Sequence, residues 1–195
     1  MGSRTTAWDR LGDYLHQTKI TGSIASTLYW DQNTRMPSGG ASWRGEQLAL
    51  LAIQLHSRQS SHEYADLIKE ARVEWSQSGL STKEKEACGR NLDLLEQDLG
   101  RQQALDPALV AALATAKADG YNNWQQARAK SDFGLFAPSL RSMIGLRQEQ
   151  ARQLAEPRSC WETLAQPFEP DLTLKRLQEL FAPLRQRLPE LLQQA

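Results

Sequence analysis

Apolar residues recur three and four positions apart along nearly the whole chain, and no stretch alternates at period two for long enough to form a strand. This periodicity constrains the fold more than any other feature. A 3.6-residue repeat gathers apolar side chains into one stripe of a helix, and such a stripe needs a partner surface to cover it. Leu48, Leu51, Ala52 and Leu55 make one stripe, and Leu92, Leu95 and Leu99 another. The clearest is the last, Leu177, Leu180, Phe181, Leu184, Leu188 and Leu191, in a helix that Pro189 is expected to bend or split. The expected fold is all-α, a multi-helix lobe of about seven to eight helices with no sheet. It forms a single helical region over residues 1–195, because no linker, repeat or low-complexity tract interrupts it.

Punctuation residues place the helix ends. Ser60 with Glu63 and Ser81 with Glu84 have capping-box spacing, in which each side chain satisfies a backbone N–H at a helix start, so helices should begin near 61 and 82. Asp106-Pro107 is an N-cap followed by proline at the first helical position, and it opens a long helix towards Arg128. Ser131-Asp132-Phe133-Gly134 reads as a short connection, after which Pro138 opens a helix carrying Leu140, Met143, Ile144, Arg147, Ala151 and Leu154. Glu156-Pro157-Arg158-Ser159 ends it.

Composition excludes several function classes. Lys plus Arg and Asp plus Glu both total 23, so the net charge is zero and a phosphate backbone meets no general attraction; nucleic acid is not an expected partner. No run approaches the ~18 apolar residues that span a bilayer, and the N-terminus lacks the apolar core of a secretory signal, so no membrane association is expected and the location reads as cytoplasmic. Met1-Gly2-Ser3-Arg4-Thr5-Thr6 fits the letters of a myristoylation site, a pattern short enough to recur by chance. Cys88 and Cys160 are far apart and belong to no Cys-x-x-Cys pair, which reads as two reduced thiols.

Three groups of residues invite a chemical reading. His62-Glu63-Tyr64-Ala65-Asp66 approaches the zinc-peptidase helix, in which two histidines four apart flank a glutamate base, but its fourth-following residue is Asp66 and no third ligand is evident. A helix start with acids near its positive end explains it better. His16 and His56 have no donor at ligand spacing and read as surface or helix-end residues, so no metal site is expected. Gly39-Gly40 after Pro37 reads as a turn rather than an anion cradle. Trp30, Trp43, Trp75, Trp124 and Trp161 are numerous for this length and are expected in the core or at partner interfaces rather than in a ligand box.

The most unusual stretch is Leu28-Tyr29-Trp30-Asp31-Gln32-Asn33-Thr34-Arg35-Met36-Pro37, continuing through Gly39-Gly40 to Arg44 and Gln47. Physically it is a helix end, a polar turn and a proline stop. Trp30, Asp31, Thr34, Met36, Pro37, Gly40, Arg44 and Gln47 resemble the N-terminal pattern of the Taq-type thermostable metallocarboxypeptidases. A second block, Trp124, Ala127, Arg128, Asp132, Phe133, Phe136 and Pro138, is similar to a further segment of that family, and Leu51, Ala52, His56, Phe168-Glu169-Pro170 and Phe181 extend the likeness over nearly the whole chain.

The resemblance implies an all-helical enzyme, usually homodimeric, that removes amino acids from peptide C-termini with zinc held by a His-Glu-x-x-His helix and a later glutamate. Those ligands lie beyond the region that this chain resembles. The resemblance therefore implies the N-terminal helical lobe without the catalytic part, with no catalytic residue and no metal ligand in this chain, inactive by itself. Asp31, Arg44 and Arg128 are candidate substrate-groove or scaffold residues. The partner is a second copy or a complementary catalytic half, with a peptide substrate only in a complete enzyme. The alternative is a stand-alone helical protein-interaction module derived from the lobe.

Overall fold

A computed structural model describes residues 6–194, with side chains to 193. The myristoylation-like opening lies outside the described residues as far as Thr5. Among the described residues there is no strand, and eight α-helices follow in order: α1 (Ala7–Thr34), α2 (Ala41–Gln59), α3 (His62–Ser76), α4 (Thr82–Gln103), α5 (Pro107–Lys130), α6 (Ala137–Leu154), α7 (Cys160–Ala165) and α8 (Leu174–Gln194). Two 3-10 turns, Ser38–Gly40 and Phe133–Leu135, precede α2 and α6. The chain divides into two compact units at Leu146/Arg147, inside α6, a division that no linker in the sequence marks because the helix runs through it.

The core of the first unit is built by α1, α3 and α4: Leu11 and Tyr14 meet Tyr64, Ile68 and Ala71, and Leu92 and Leu99 close the cluster. Ile68 and Leu92 are fully buried, so their removal from water is a main stabilising term. Helices α3 and α4 approach closely at Gly89, where an added Cβ would lie 3.0 Å from the Trp75 ring. The Trp75 indole N–H donates to the Lys85 carbonyl across the same contact, at 3.0 Å. Helices α2 and α5 pack on each other along their lengths, with α1 against α2.

The caps follow local chemistry, with one shift. Asp106 caps α5 by accepting from Ala108 N at 2.8 Å, and Glu84 accepts from Ser81 N at 3.0 Å at the start of α4. The capping box expected at Ser60 and Glu63 does not form, because Ser61 is the cap and accepts from Tyr64 N at 3.0 Å. Ser60 instead closes α2, its hydroxyl donating to the His56 carbonyl at 2.8 Å. Ser131 ends α5 in the left-handed region at φ 52°, and Asp132 then caps the short turn through Gly134 N at 2.8 Å.

In the second unit Glu162 ties α7 to the start of α8, accepting from the Ser159 hydroxyl at 2.8 Å and from Leu174 N at 2.8 Å. These donors, with the Ser159 backbone N–H, hold its carboxyl below the ordinary range. Helix α8 is not split at Pro189: it continues through Pro183 and Pro189 to Gln194. A proline keeps helical φ and removes one N–H; the carbonyls left over on an exposed helix take water. Leu180, Phe181, Leu184, Leu188 and Leu191 are each about half exposed, so the strongest stripe in the sequence is not covered.

Candidate functional site

The polar stretch after Leu28 folds into the corner between α1 and α2. Pro37 cannot extend α1, and Arg35 N and Met36 N both close on the Asp31 carbonyl at 2.9 Å before the Ser38–Gly40 turn reverses the chain. Gly39-Gly40 is thus the turn expected. A side chain at Gly40 would press on Met36, with 3.3 Å between its Cβ and Met36 Cγ.

Within the first turn of α2 Arg44 reaches back across this corner. Its guanidinium pairs with Asp31 Oδ2 at 2.5 Å, donates to the Leu28 carbonyl, and donates to Gln47 Oε1 at 3.0 Å. Arg44 is 9% exposed, whereas the Asp31 side chain keeps 36%. Three of the five N–H donors of this planar fork serve a carboxylate, a carbonyl and an amide of the protein itself, which is a structural use of the group. The structure brings Asp31 and Arg44 together as a clasp and does not join Arg128 to them.

Arg128 is exposed near the end of α5 and stands over the Trp124 ring, 5.7 Å from its centre. Lys117, one more cation of α5, stands 4.2 Å from the centre of the Tyr29 ring. Gln32 is buried beside α5 and donates to the Ala118 carbonyl at 3.4 Å, while its Oε1 and the Asn122 Nδ2 are buried without a partner. They border a cleft of about 350 Å³ walled by carboxamides and hydroxyls, among them Asn33, Thr34, Ser38 and Gln125. Sequence reasoning passed over Lys117, Tyr121 and Gln32. The signal for the first two was their spacing with Trp124 and Arg128, and for Gln32 its place on the apolar face of α1.

Of the two positions expected for His56, surface or helix end, it takes the helix end: it is buried in the last turn of α2, with Nδ1 3.3 Å from Gln102 Oε1. Of the core and partner-interface positions expected for the tryptophans, the core is the minority. Trp30, Trp43, Trp124 and Trp161 are 61%, 67%, 40% and 46% exposed, and only Trp75 packs against the core cluster. Cys88 and Cys160 are free thiols.

Zinc chemistry needs three protein donors on one ion, and no group of three or more His, Cys, Asp or Glu side chains lies together among the described residues. His62 opens α3 and is exposed, and Asp66 pairs with Lys69 at 3.8 Å. The donor set of the described residues does not fit a catalytic metal. No helix among the described residues is long and apolar enough to cross a membrane.

Fold and corner together define an all-helical chain with a buried arginine clasp between α1 and α2 and, among the described residues, no group of three metal-binding donors. Residues 10–195 match the family model of the Carboxypeptidase Taq (M32) metallopeptidases, and the chain belongs to that family. It is 28% identical over 198 residues to Thermostable carboxypeptidase 1 of Thermus thermophilus, covering 95% of this chain and 38% of that protein. With Carboxypeptidase 1 of Bacillus subtilis the identity is 23% over 182 residues, covering 93% and 35%. Among solved structures, Trypanosoma cruzi Metallocarboxypeptidase 1 superposes with a TM-score of 0.72 at 28% identity, over 96% of this chain and 36% of that one. The structure described as BsuCP gives 0.83 at 23% identity, over 92% and 35%, and shares the fold. The chain thus spans little more than a third of the length of the relatives that it matches.

Proposed function

We propose that these residues form the helical lobe that walls the peptide groove of a zinc carboxypeptidase, an enzyme that removes C-terminal amino acids, and that the chain by itself releases none. The observation that carries this reading is the pairing of a family match over 10–195 with a sequence whose three histidines, His16, His56 and His62, include no two four residues apart. A catalytic zinc lowers the pKa of its bound water and polarises the scissile carbonyl, and it requires three protein ligands to do so. In this reading Asp31 and Arg44 are scaffold residues that set the angle between α1 and α2, and Arg128 is a groove residue. The partner is the His-Glu-x-x-His portion of such an enzyme or a second copy of the chain. A cytoplasmic location is part of the same proposal, supported by two free thiols outside any disulfide.

The purified chain is incubated with N-blocked peptides and zinc or cobalt, and amino-acid release is followed. No release is expected. Mixing with a polypeptide that carries the His-Glu-x-x-His region should restore cleavage, provided that complementary faces repay the entropy of association. Robust metal-dependent release by the 195-residue chain alone would overturn the proposal. The second reading, a stand-alone interaction module, is favoured by the exposed stripe of α8. It predicts a protein partner bound through Phe181 and Leu184 and no gain of activity in the mixture.

A further inference from the structure

One face of α5 carries groups that the corner does not use. Lys117, Tyr121, Trp124 and Arg128 follow at i, i+4, i+7 and i+11, which places them along one stripe of the helix. They form a ladder of alternating contacts: Lys117 Nζ stands 4.2 Å from the Tyr29 ring centre, the Tyr121 and Trp124 rings are 5.9 Å apart, and the Arg128 guanidinium lies 5.7 Å from the Trp124 ring. Lys117, Trp124 and Arg128 are exposed and Tyr121 is half-buried.

Among the described residues neither cation has a carboxylate partner. The neighbouring acids are directed elsewhere: Asp31 to Arg44, Asp132 to Gly134 N, and Asp119 towards α2 beside Gly45. A cation seated on a ring face keeps its full charge, and its N–H groups on the other side remain available to an anion. The eleven positions from Lys117 to Arg128 correspond to about 16 Å along a helix, the span of about five residues of extended peptide.

We propose that this stripe is a docking strip for an acidic peptide: an extended five-residue segment whose first, third and fifth side chains share one face, with a carboxylate on Lys117, a carboxylate on Arg128 and an apolar side chain between them on Tyr121 and Trp124. Two cations separated in this way suit side-chain carboxylates. A nucleic acid carries a phosphate at every nucleotide and rewards a continuous basic track, which a chain of zero net charge with two cations on this face does not offer. Arg128, read above as a groove residue, is shared with the carboxypeptidase reading, but the strip is tested by binding alone, so its failure is distinguishable from a failure of that reading.

The test is fluorescence anisotropy with a labelled, end-blocked pentapeptide that has carboxylates at its first and last positions and leucine at its third, beside its Asn/Gln counterpart. At low ionic strength the acidic peptide should bind at least about fivefold more tightly than the neutral one, and added salt should erase the difference. Lys117→Gln and Arg128→Gln should each weaken binding about threefold, and Trp124→Ala about tenfold. Lys130→Gln, on the same helix but off the stripe, should change nothing. Both strip cations are exposed, so circular dichroism should show folded variants. Equal binding of the two peptides, no loss in Lys117→Gln and Arg128→Gln, or displacement of the acidic peptide by a single-stranded oligonucleotide at lower concentration would each overturn the proposal.

Discussion

Replacing Arg44 by alanine removes the group that joins α1 to α2 at the corner, and its cost follows from the contacts. The guanidinium serves the Asp31 carboxylate, the Leu28 carbonyl and the Gln47 amide at once. Breaking a fully buried ion pair costs about 3–5 kcal/mol, mostly because one charge stays buried without a partner. Here the arginine is the buried member and the Asp31 side chain keeps 36% exposure, so water takes over part of its charge and the expected loss falls to about 2–3 kcal/mol. For a chain of this size each kcal/mol shifts Tm by roughly 2–4 °C, which gives a fall of about 4–12 °C. Thermal and urea unfolding followed by circular dichroism measures it. Arg44→Lys should recover less than half, because one ammonium cannot hold the carboxylate and the Leu28 carbonyl with a planar fork. A double-mutant cycle with Asp31→Ala should give a coupling of about 1 kcal/mol or more. A loss below about 0.5 kcal/mol for Arg44→Ala, as for an ordinary surface change, or full recovery by lysine, would refute the clasp.

Leu92→Ala opens a cavity among α1, α3 and α4 and should cost about 2–5 kcal/mol, read as a lower urea midpoint with an unchanged slope; a smaller effect would mean that the cluster is loosely packed. Tyr64, buried against Tyr14 and near Asp98, has its phenol pushed up from 10.0 to about 12. Its neutral form is favoured by folding, so this contribution is fully present below pH 10.0 and is lost as pH rises through about 12; alkaline titration of the wild type and of Tyr64→Phe should diverge in that window, and parallel curves would contradict it. Glu162 acts with the opposite sign. Its carboxyl is held below 4.5, so what it contributes to the α7–α8 junction is lost as pH falls below that value, and hydrogen exchange at Leu174 should quicken there in the wild type but not in Glu162→Gln. The exposed stripe of α8 should bind a hydrophobic dye or drive self-association, and Phe181→Ser should reduce either; a dye-silent monomer would mean that the stripe is covered in solution.

What could be read from the residues alone was what local chemistry decides. Helix against strand follows from the spacing of apolar residues, and the starts at Ser81 and Asp106 follow from side chains bonding N–H groups two or three residues away. The same logic slipped by one residue at Ser60, where two adjacent serines offered equivalent oxygens and only the meeting with Tyr14 and Arg58 separated them. The Tyr14 and Ser61 hydroxyls lie 3.0 Å apart, and Tyr14 donates to the Arg58 carbonyl at 2.8 Å. The resemblance carried by Trp30 to Gln47 was legible as a pattern. The separate fates of Asp31, Arg44 and Arg128 were not, because whether a charge is clasped or open depends on which groups the packed helices bring beside it, and α2 packs on α5, far from it in sequence. Burial is likewise a tertiary property. His56 and Gln32 went inside while five tryptophans and the apolar face of α8 stayed out, since periodicity names the face that wants a cover and only the neighbouring helices decide whether one is there.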